Sequence, residues 1–177
     1  MGNFKDRIIG ASKLTSKIYE EVEADKGAIG QAIGVIVISS IAAGIGLLTK
    51  AGGIGIVKGS IGALFSWLIW SYLTYTIGTR ILPEPQTKAN YGELLRVIGF
   101  STAPGIIRIL GIIPGLTKII FIIASIWMLM AMVVAVRQAL DYTSTMRAVC
   151  VCIIGWIVQA IVLIGVFYLI GRGAGVV

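Results

Sequence analysis

Histidine is missing from this chain, and acidic side chains are scarce: after Asp25 only Glu84, Glu93 and Asp141 follow. Without histidine the commonest general base and metal ligand is gone. No Ser, Thr or Cys has an imidazole to activate it. Three widely spaced carboxylates do not supply the facing pair that acid–base hydrolysis needs. The glycine-rich stretch Gly52-Gly53-Ile54-Gly55 lacks the Lys-Ser or Lys-Thr step that a phosphate loop requires at its spacing, and reads as a turn. Enzyme chemistry, a bound cofactor and a metal site are therefore not expected. The two cysteines, Cys150 and Cys152, stand two apart in an apolar run. On a helix such positions point about 200° apart, so they read as small packing residues.

Charge is scarce too. Only 13% of the 177 residues are charged, against about 25% in a soluble domain. What fills the chain is apolar: 57% hydrophobic residues and a mean hydropathy of +0.96. This is too little polar side chain to cover a water-facing surface. The expected fold class is all-α, a polytopic transmembrane helical bundle of about five spans. The net charge is +7. Its lysines and arginines are scattered between apolar runs, which points to membrane phosphates and away from nucleic acid. About 27 mixed residues precede the first apolar run, so the start does not read as a signal peptide. Asp6 stands where a myristoylation motif wants Ser or Thr.

Apolar spans are predicted at about 28–48, 59–79, 92–113, 117–140 and 147–170, each near the ~20 residues that cross a ~30 Å hydrocarbon core. Residues 1–27 form a separate N-terminal segment and 173–177 a tail, with the bundle over 28–172. Within the segment, residues 4–23 have a helical apolar stripe: Phe4, Ile8, Ala11, Leu14, Ile18, Tyr19 and Val22. Such a helix can lie in the cytoplasmic interface, with Lys5, Arg7, Lys13 and Lys17 near lipid phosphates, or pack on the bundle's end. Lys17 can pair with Glu21 at i+4. Asn90 and Glu93 have the spacing of a capping box, so a helix is expected to start near 91.

The third span is the irregular one. Arg96 and Arg108 enclose only eleven residues, about 16 Å of helix. Pro104-Gly105 lies between them and Pro114-Gly115 follows. A span kinked or broken at Pro104 is expected, either crossing with both arginines snorkelling or paired, or re-entrant. Glu93 can pair with Arg96, and Arg137 with Asp141. Glu93, Arg96, Pro104 and Arg108 are the candidate functional or partner contacts. Small residues four apart, Gly55, Gly59 and Ala63 on one helix and Ala131, Ala135 and Ala139 on another, are expected to form helix-packing ridges.

With five spans, one side carries Lys5, Arg7, Lys13, Lys17, Lys26, Arg80, Lys88, Arg96, Arg137 and Arg147, and the other carries Lys50, Lys58, Arg108, Lys118 and Arg172. The excess places the N-terminus in the cytoplasm. A re-entrant third segment would leave four crossings and both termini on that side.

The run Tyr91-Gly-Glu-Leu-Leu-Arg-Val-Ile-Gly-Phe-Ser-Thr-Ala-Pro-Gly105 is distinctive. With Trp127, the closing Ala-Val-Arg-Gln-Ala-Leu-Asp at 135–141 and the prelude Tyr19-Glu-Glu-Val-Glu-Ala-Asp25, it resembles the Yip1-domain family, in particular its short prokaryotic members. The resemblance covers most of 15–170. It implies five spans with a cytosolic N-terminus, multi-pass in a prokaryotic cytoplasmic membrane. Eukaryotic members associate with Rab GTPases through a long cytosolic region that this sequence does not match, so Rab binding is not carried over. The expectation is a non-enzymatic accessory or membrane-organising subunit. Its partners would be the lipid bilayer, anionic lipid, and another membrane protein or a second copy. The competing reading is a small transporter or channel with its site at the third span.

Overall fold

The computed structural model describes residues 2–173, without the side chains of 48–52, 163 and 166–173. The expected tail beyond Gly173 and the side chains of Lys50 and Arg172 lie outside that description. The described chain is all helix. Two short helices, α1 (Phe4–Ser12) and α2 (Ser16–Ala24), precede α3 (Ile29–Gly46), α4 (Leu48–Thr76), α5 (Tyr91–Phe100), α6 (Thr117–Ala139) and α7 (Thr145–Gly173). A 3₁₀ segment, Ala103–Ile112, continues α5, and one π turn, Ile77–Ile81, ends α4. Five stretches are long and apolar enough to cross a membrane: Lys26–Gly46, Gly53–Ile81, Tyr91–Ile112, Thr117–Ala139 and Thr145–Val162.

The N-terminal segment is not one helix lying flat. It breaks at Lys13-Leu14-Thr15, where Leu14 adopts a left-handed φ of 59°. α1 and α2 then fold back as a hairpin. Gly10 makes the close approach possible, since a Cβ there would come within 2.4 Å of Ile18. The apolar stripe faces protein: Ala11, Tyr19 and Val22 are fully buried, with Phe4, Ile8 and Ile18 packed around them. Burying the stripe on α5 and α6 leaves it unavailable to lipid. The hairpin tip also reaches far along the bundle. The Trp127 indole donates to the Ser12 carbonyl at 2.7 Å, and Trp127 is near the middle of α6.

The turn between the first two spans falls at Leu47, and the Gly52–Gly55 stretch expected to form it is helical within α4.

The third span runs parallel to α3 along almost its whole length. Gly99 lies against Ala32, Gly105 against Ser39 and Gly111 against the Gly46 carbonyl. Fourteen α-helical steps from Ala32 to Gly46 cover about 21 Å, and twelve steps from Gly99 to Gly111 would cover only about 18 Å as α-helix. The 3₁₀ rise of about 2.0 Å per residue makes up the difference. The segment therefore travels as far as α3 does, and is long and apolar enough to cross a membrane. Its change of helix type is well satisfied. Pro104 is in the first turn of the 3₁₀ segment, where its missing N–H has no intrahelical partner to lose. The hydroxyls of Ser101 and Thr102 donate to the Ile98 and Gly99 carbonyls, both at 2.7 Å, which covers acceptors the α-helix no longer satisfies.

Candidate functional site

Two places gather the polar groups of this apolar molecule. The first is the end of the bundle where the hairpin meets α3, α5 and α6. Arg7, expected at the lipid surface, is instead buried. Its guanidinium donates to Glu21 at 2.9 and 3.1 Å and to Gln31 Oε1 at 2.8 Å, and pairs with Asp25 at 2.8 Å. Two carboxylates and an amide use most of its five donors, which is what a buried guanidinium requires. Glu21 is thereby taken from its expected partner Lys17, and it also accepts from the Gly2 N–H at 2.8 Å. The contact with Arg7 holds the Glu21 carboxyl below its ordinary range.

Arg96 closes the same end from α5. It does not pair with Glu93. It donates to the carbonyls of Val22 at 3.1 Å and of Glu23, the last turn of α2, where helix carbonyls lack intrahelical donors and the dipole favours a cation. Glu93 is occupied elsewhere: it accepts from the Asn90 N–H at 2.8 Å while Asn90 Oδ1 accepts from the Glu93 N–H at 3.1 Å. This is the reciprocal cap that starts α5. Nearby, Glu23 is pushed up to about 7, first by burial and then by the charges of Glu93 and Asp141. Arg137, expected to pair with Asp141, donates instead to the Tyr142 and Thr143 carbonyls at 3.2 Å.

Lys5, Lys13 and Lys17 are exposed. Lys13 and Lys17 flank the tip of the hairpin, level with the middle of α6. They are deeper in the bundle than a surface helix would place them.

A latch that sequence reasoning did not find joins the α4–α5 loop to α7. Glu84 accepts from Thr143 N–H at 2.9 Å and Thr143 hydroxyl at 2.8 Å, and Arg147 stands 3.6 Å away. A carboxylate at the start of a helix meets free N–H groups and the positive end of the dipole. The Thr143 N–H holds the Glu84 carboxyl down at about 2.

The second place is the bundle's interior. A cavity of about 470 Å³ lies between α3, α4, α6, α7 and the third span. Gly55, Gly59 and Ala63 line it. At Gly59 a Cβ would meet nothing within 4 Å, so this position packs on no described helix of the chain, whereas Ala63 packs against the core. Ala131, Ala135 and Ala139 are fully buried. Pro104 is buried and does not line the cavity. Arg108 does line it. Its guanidinium stands 5.5 Å from the Phe121 ring centroid, a cation–π contact. Among the described residues a long 3.4 Å bond to Ser125 Oγ is its one side-chain hydrogen bond, and its buried Nε has no acceptor there. Trp70 lines the same cavity and its indole N–H is likewise unpartnered. The structure thus separates the two arginines that looked alike in the sequence: Arg96 is satisfied at one end, Arg108 is unsatisfied near the other.

No cluster of metal-ligating side chains occurs among the described residues. Among protein-family models, that of the Yip1 domain matches residues 15–167. No curated protein and no solved structure matches the chain.

Proposed function

The chain belongs to the Yip1-domain family, and on that premise we propose that this multi-pass membrane protein is a non-enzymatic, membrane-organising accessory subunit. It associates with anionic lipid and with other membrane proteins. Its N-terminus lies in the cytoplasm, in a prokaryotic cytoplasmic membrane. The observation that carries the reading is the N-terminal hairpin: a rigid wedge bolted to the bundle by Arg7 and Arg96, with the exposed Lys13 and Lys17 at a tip level with the middle of α6. Lysine heads at that depth are costly unless headgroups and water are drawn in toward them. A fixed cationic wedge would then thin the cytoplasmic leaflet beside it and gather anionic lipid. The outward face of α4 supports the second half. Ile54, Val57, Ile61 and Phe65 are 52–73% exposed, next to Gly62, whose Cβ position is open. Large and small residues alternate there as at membrane helix interfaces. The transporter reading of the third span draws no support from the family match.

The test uses the full chain in vesicles with a membrane-impermeant amine reagent. Labelling of Lys13 and Lys17 from the side that also labels Lys5 is expected. Lys13 and Lys17 staying unlabelled while Lys5 reacts would overturn the wedge. For the partner, a photo-crosslinking residue at position 65 in native membranes is expected to capture a membrane protein. No adduct, with a lone monomer in mild detergent, would refute the accessory role.

A further inference from the structure

We propose that the central cavity is a binding site for one acyl chain of an anionic amphiphile, whose carboxylate or phosphate sits on Arg108. The inference is independent of the hairpin, since Arg108 lies at the opposite end of the bundle from the buried Arg7 cluster.

The charge comes first. Arg108 lies beside Gly46, the last residue of α3: a Cβ on Gly46 would fall 2.1 Å from the Arg108 carbonyl oxygen. The carboxylates that follow the N-terminal segment are Glu84, Glu93 and Asp141. They lie near the other end, in the loops and cap beside the hairpin. Arg108 forms no ion pair among the described residues, and one long hydrogen bond and a ring face are poor compensation for a cation in an apolar slot. An anion supplied from outside the chain would complete it, and a guanidinium suits carboxylate and phosphate alike.

The shape comes second. From Gly55 to Trp70 the α4 wall of the cavity is about 22 Å long, and from Ile36 to Leu47 the α3 wall is about 16 Å. A volume of about 470 Å³ spread over ~20 Å makes a narrow slot that takes an extended chain. A helix, at about 10 Å with its side chains, does not fit. Most of the wall is apolar, with Ile36, Ile56, Ile98 and Met132 on it. The Arg108 backbone is level with the last turn of α3, and its guanidinium reaches into the slot from that end, beside Phe121 and Ser125.

Access comes third. Gly59, Ser66 and Trp156 line the cavity and are exposed. It therefore opens sideways between α4 and α7, onto the face the bilayer covers. A lipid could enter from the leaflet without leaving it.

The experiment is native mass spectrometry of the full chain in mild detergent. The probes are phosphatidylglycerol, phosphatidylcholine with the same chains, oleate, and glycerol phosphate as a headgroup without a chain. Phosphatidylglycerol, oleate or both should be retained at least about tenfold more than phosphatidylcholine; whichever it is identifies the source of the anion. Arg108→Gln should abolish the preference and Arg108→Lys should keep most of it. Gly59→Phe, at a position with open space, should exclude the chain and so reduce both phosphatidylglycerol and phosphatidylcholine adducts without lowering the melting temperature. Retention of neither phosphatidylglycerol nor oleate above phosphatidylcholine by the native chain would overturn the proposal. So would a preference that survives Arg108→Gln, adducts that survive Gly59→Phe, or glycerol phosphate binding as tightly as phosphatidylglycerol.

Discussion

Two glycines on facing helices should respond to the same substitution with opposite signs. At Gly46 an added Cβ would lie 2.1 Å from the Arg108 carbonyl oxygen and 3.1 Å from both the Arg108 carbonyl carbon and the Phe121 ring. Carbon and carbonyl oxygen approach no closer than about 3.3 Å in ordinary contacts. The third span must therefore move about 1 Å away from α3, and the first obstacle is backbone. Forcing a methyl into such a contact costs typically about 1–3 kcal/mol, and backbone as the obstacle places Gly46→Ala at the upper end. At Gly59 the added Cβ meets nothing within 4 Å. There Gly59→Ala gains helix propensity, up to about 1 kcal/mol. One kcal/mol moves the melting temperature by roughly 2–4 °C in a chain of this size. Gly46→Ala should lower it by about 5–10 °C and Gly59→Ala should raise it slightly. The native thiols offer an assay: Cys152 is buried and free, so a thiol-reactive fluorophore reports unfolding in detergent. The reasoning fails if Gly46→Ala is neutral, or if Gly59→Ala destabilises as much as Gly46→Ala does. The latter result would mean that Gly59 packs against something this chain does not supply.

Arg7→Met leaves Glu21 and Asp25 facing a buried apolar group. Breaking a fully buried pair costs about 3–5 kcal/mol. Here Glu21 and Asp25 keep 26% and 17% side-chain exposure, so about 2 kcal/mol is expected, with cleavage by trypsin after Lys13 or Lys17 speeding up in detergent; unchanged melting and cleavage would refute the clamp. Glu84 has a folded-state pKa of about 2 against an ordinary 4.5. Its stabilisation is present above pH 4.5 and is lost as the pH falls toward 2. Glu84→Gln should lower the melting temperature at pH 7 and flatten its decline below pH 4.5, and a parallel decline in both proteins would count against the latch.

The parts of this molecule that were legible in the sequence are the ones decided locally. Hydropathy alone locates five spans, because twenty apolar residues have nowhere else to go. Asn90 and Glu93 are three apart, so their reciprocal cap can be read without knowing what the helix packs on. Most of the misreadings concern partners that are distant in sequence. Arg7 looks like a lipid-facing cation until Glu21, Asp25 and Gln31 converge on it across the hairpin. The break at Leu14 has neither glycine nor proline to mark it, only the cap-type Thr15 that follows and starts α2. Glu84 reads as loop polarity because its partner Thr143 lies 59 residues on. Spacing of small residues fares no better: Gly55, Gly59 and Ala63 do share a helix face, but a shared face does not say whether a helix, a lipid or an empty slot lies against it. In each case the local pattern names the side chain and the fold chooses its partner.

The two arginines of the third span carry this furthest. From Arg96 to Arg108 a regular α-helix would rise about 18 Å. With four α steps to Phe100 and eight at the 3₁₀ rise, the distance is about 22 Å. Those ~4 Å decide where the second charge lies. Arg96 is fixed at one end by the carbonyls of Val22 and Glu23. An α-helical continuation would leave the Arg108 backbone most of a turn short, near Ala43 of α3. The 3₁₀ segment instead carries the Arg108 backbone to Gly46, and its guanidinium lies beside Phe121 and Ser125 in the first half of α6. The local stretch of backbone, which costs hydrogen-bond quality along ten residues, thus sets at one end of an apolar slot a cation with no ion pair among the described residues. A span selected only to cross the membrane has no use for that arrangement, and a site for an anionic lipid does.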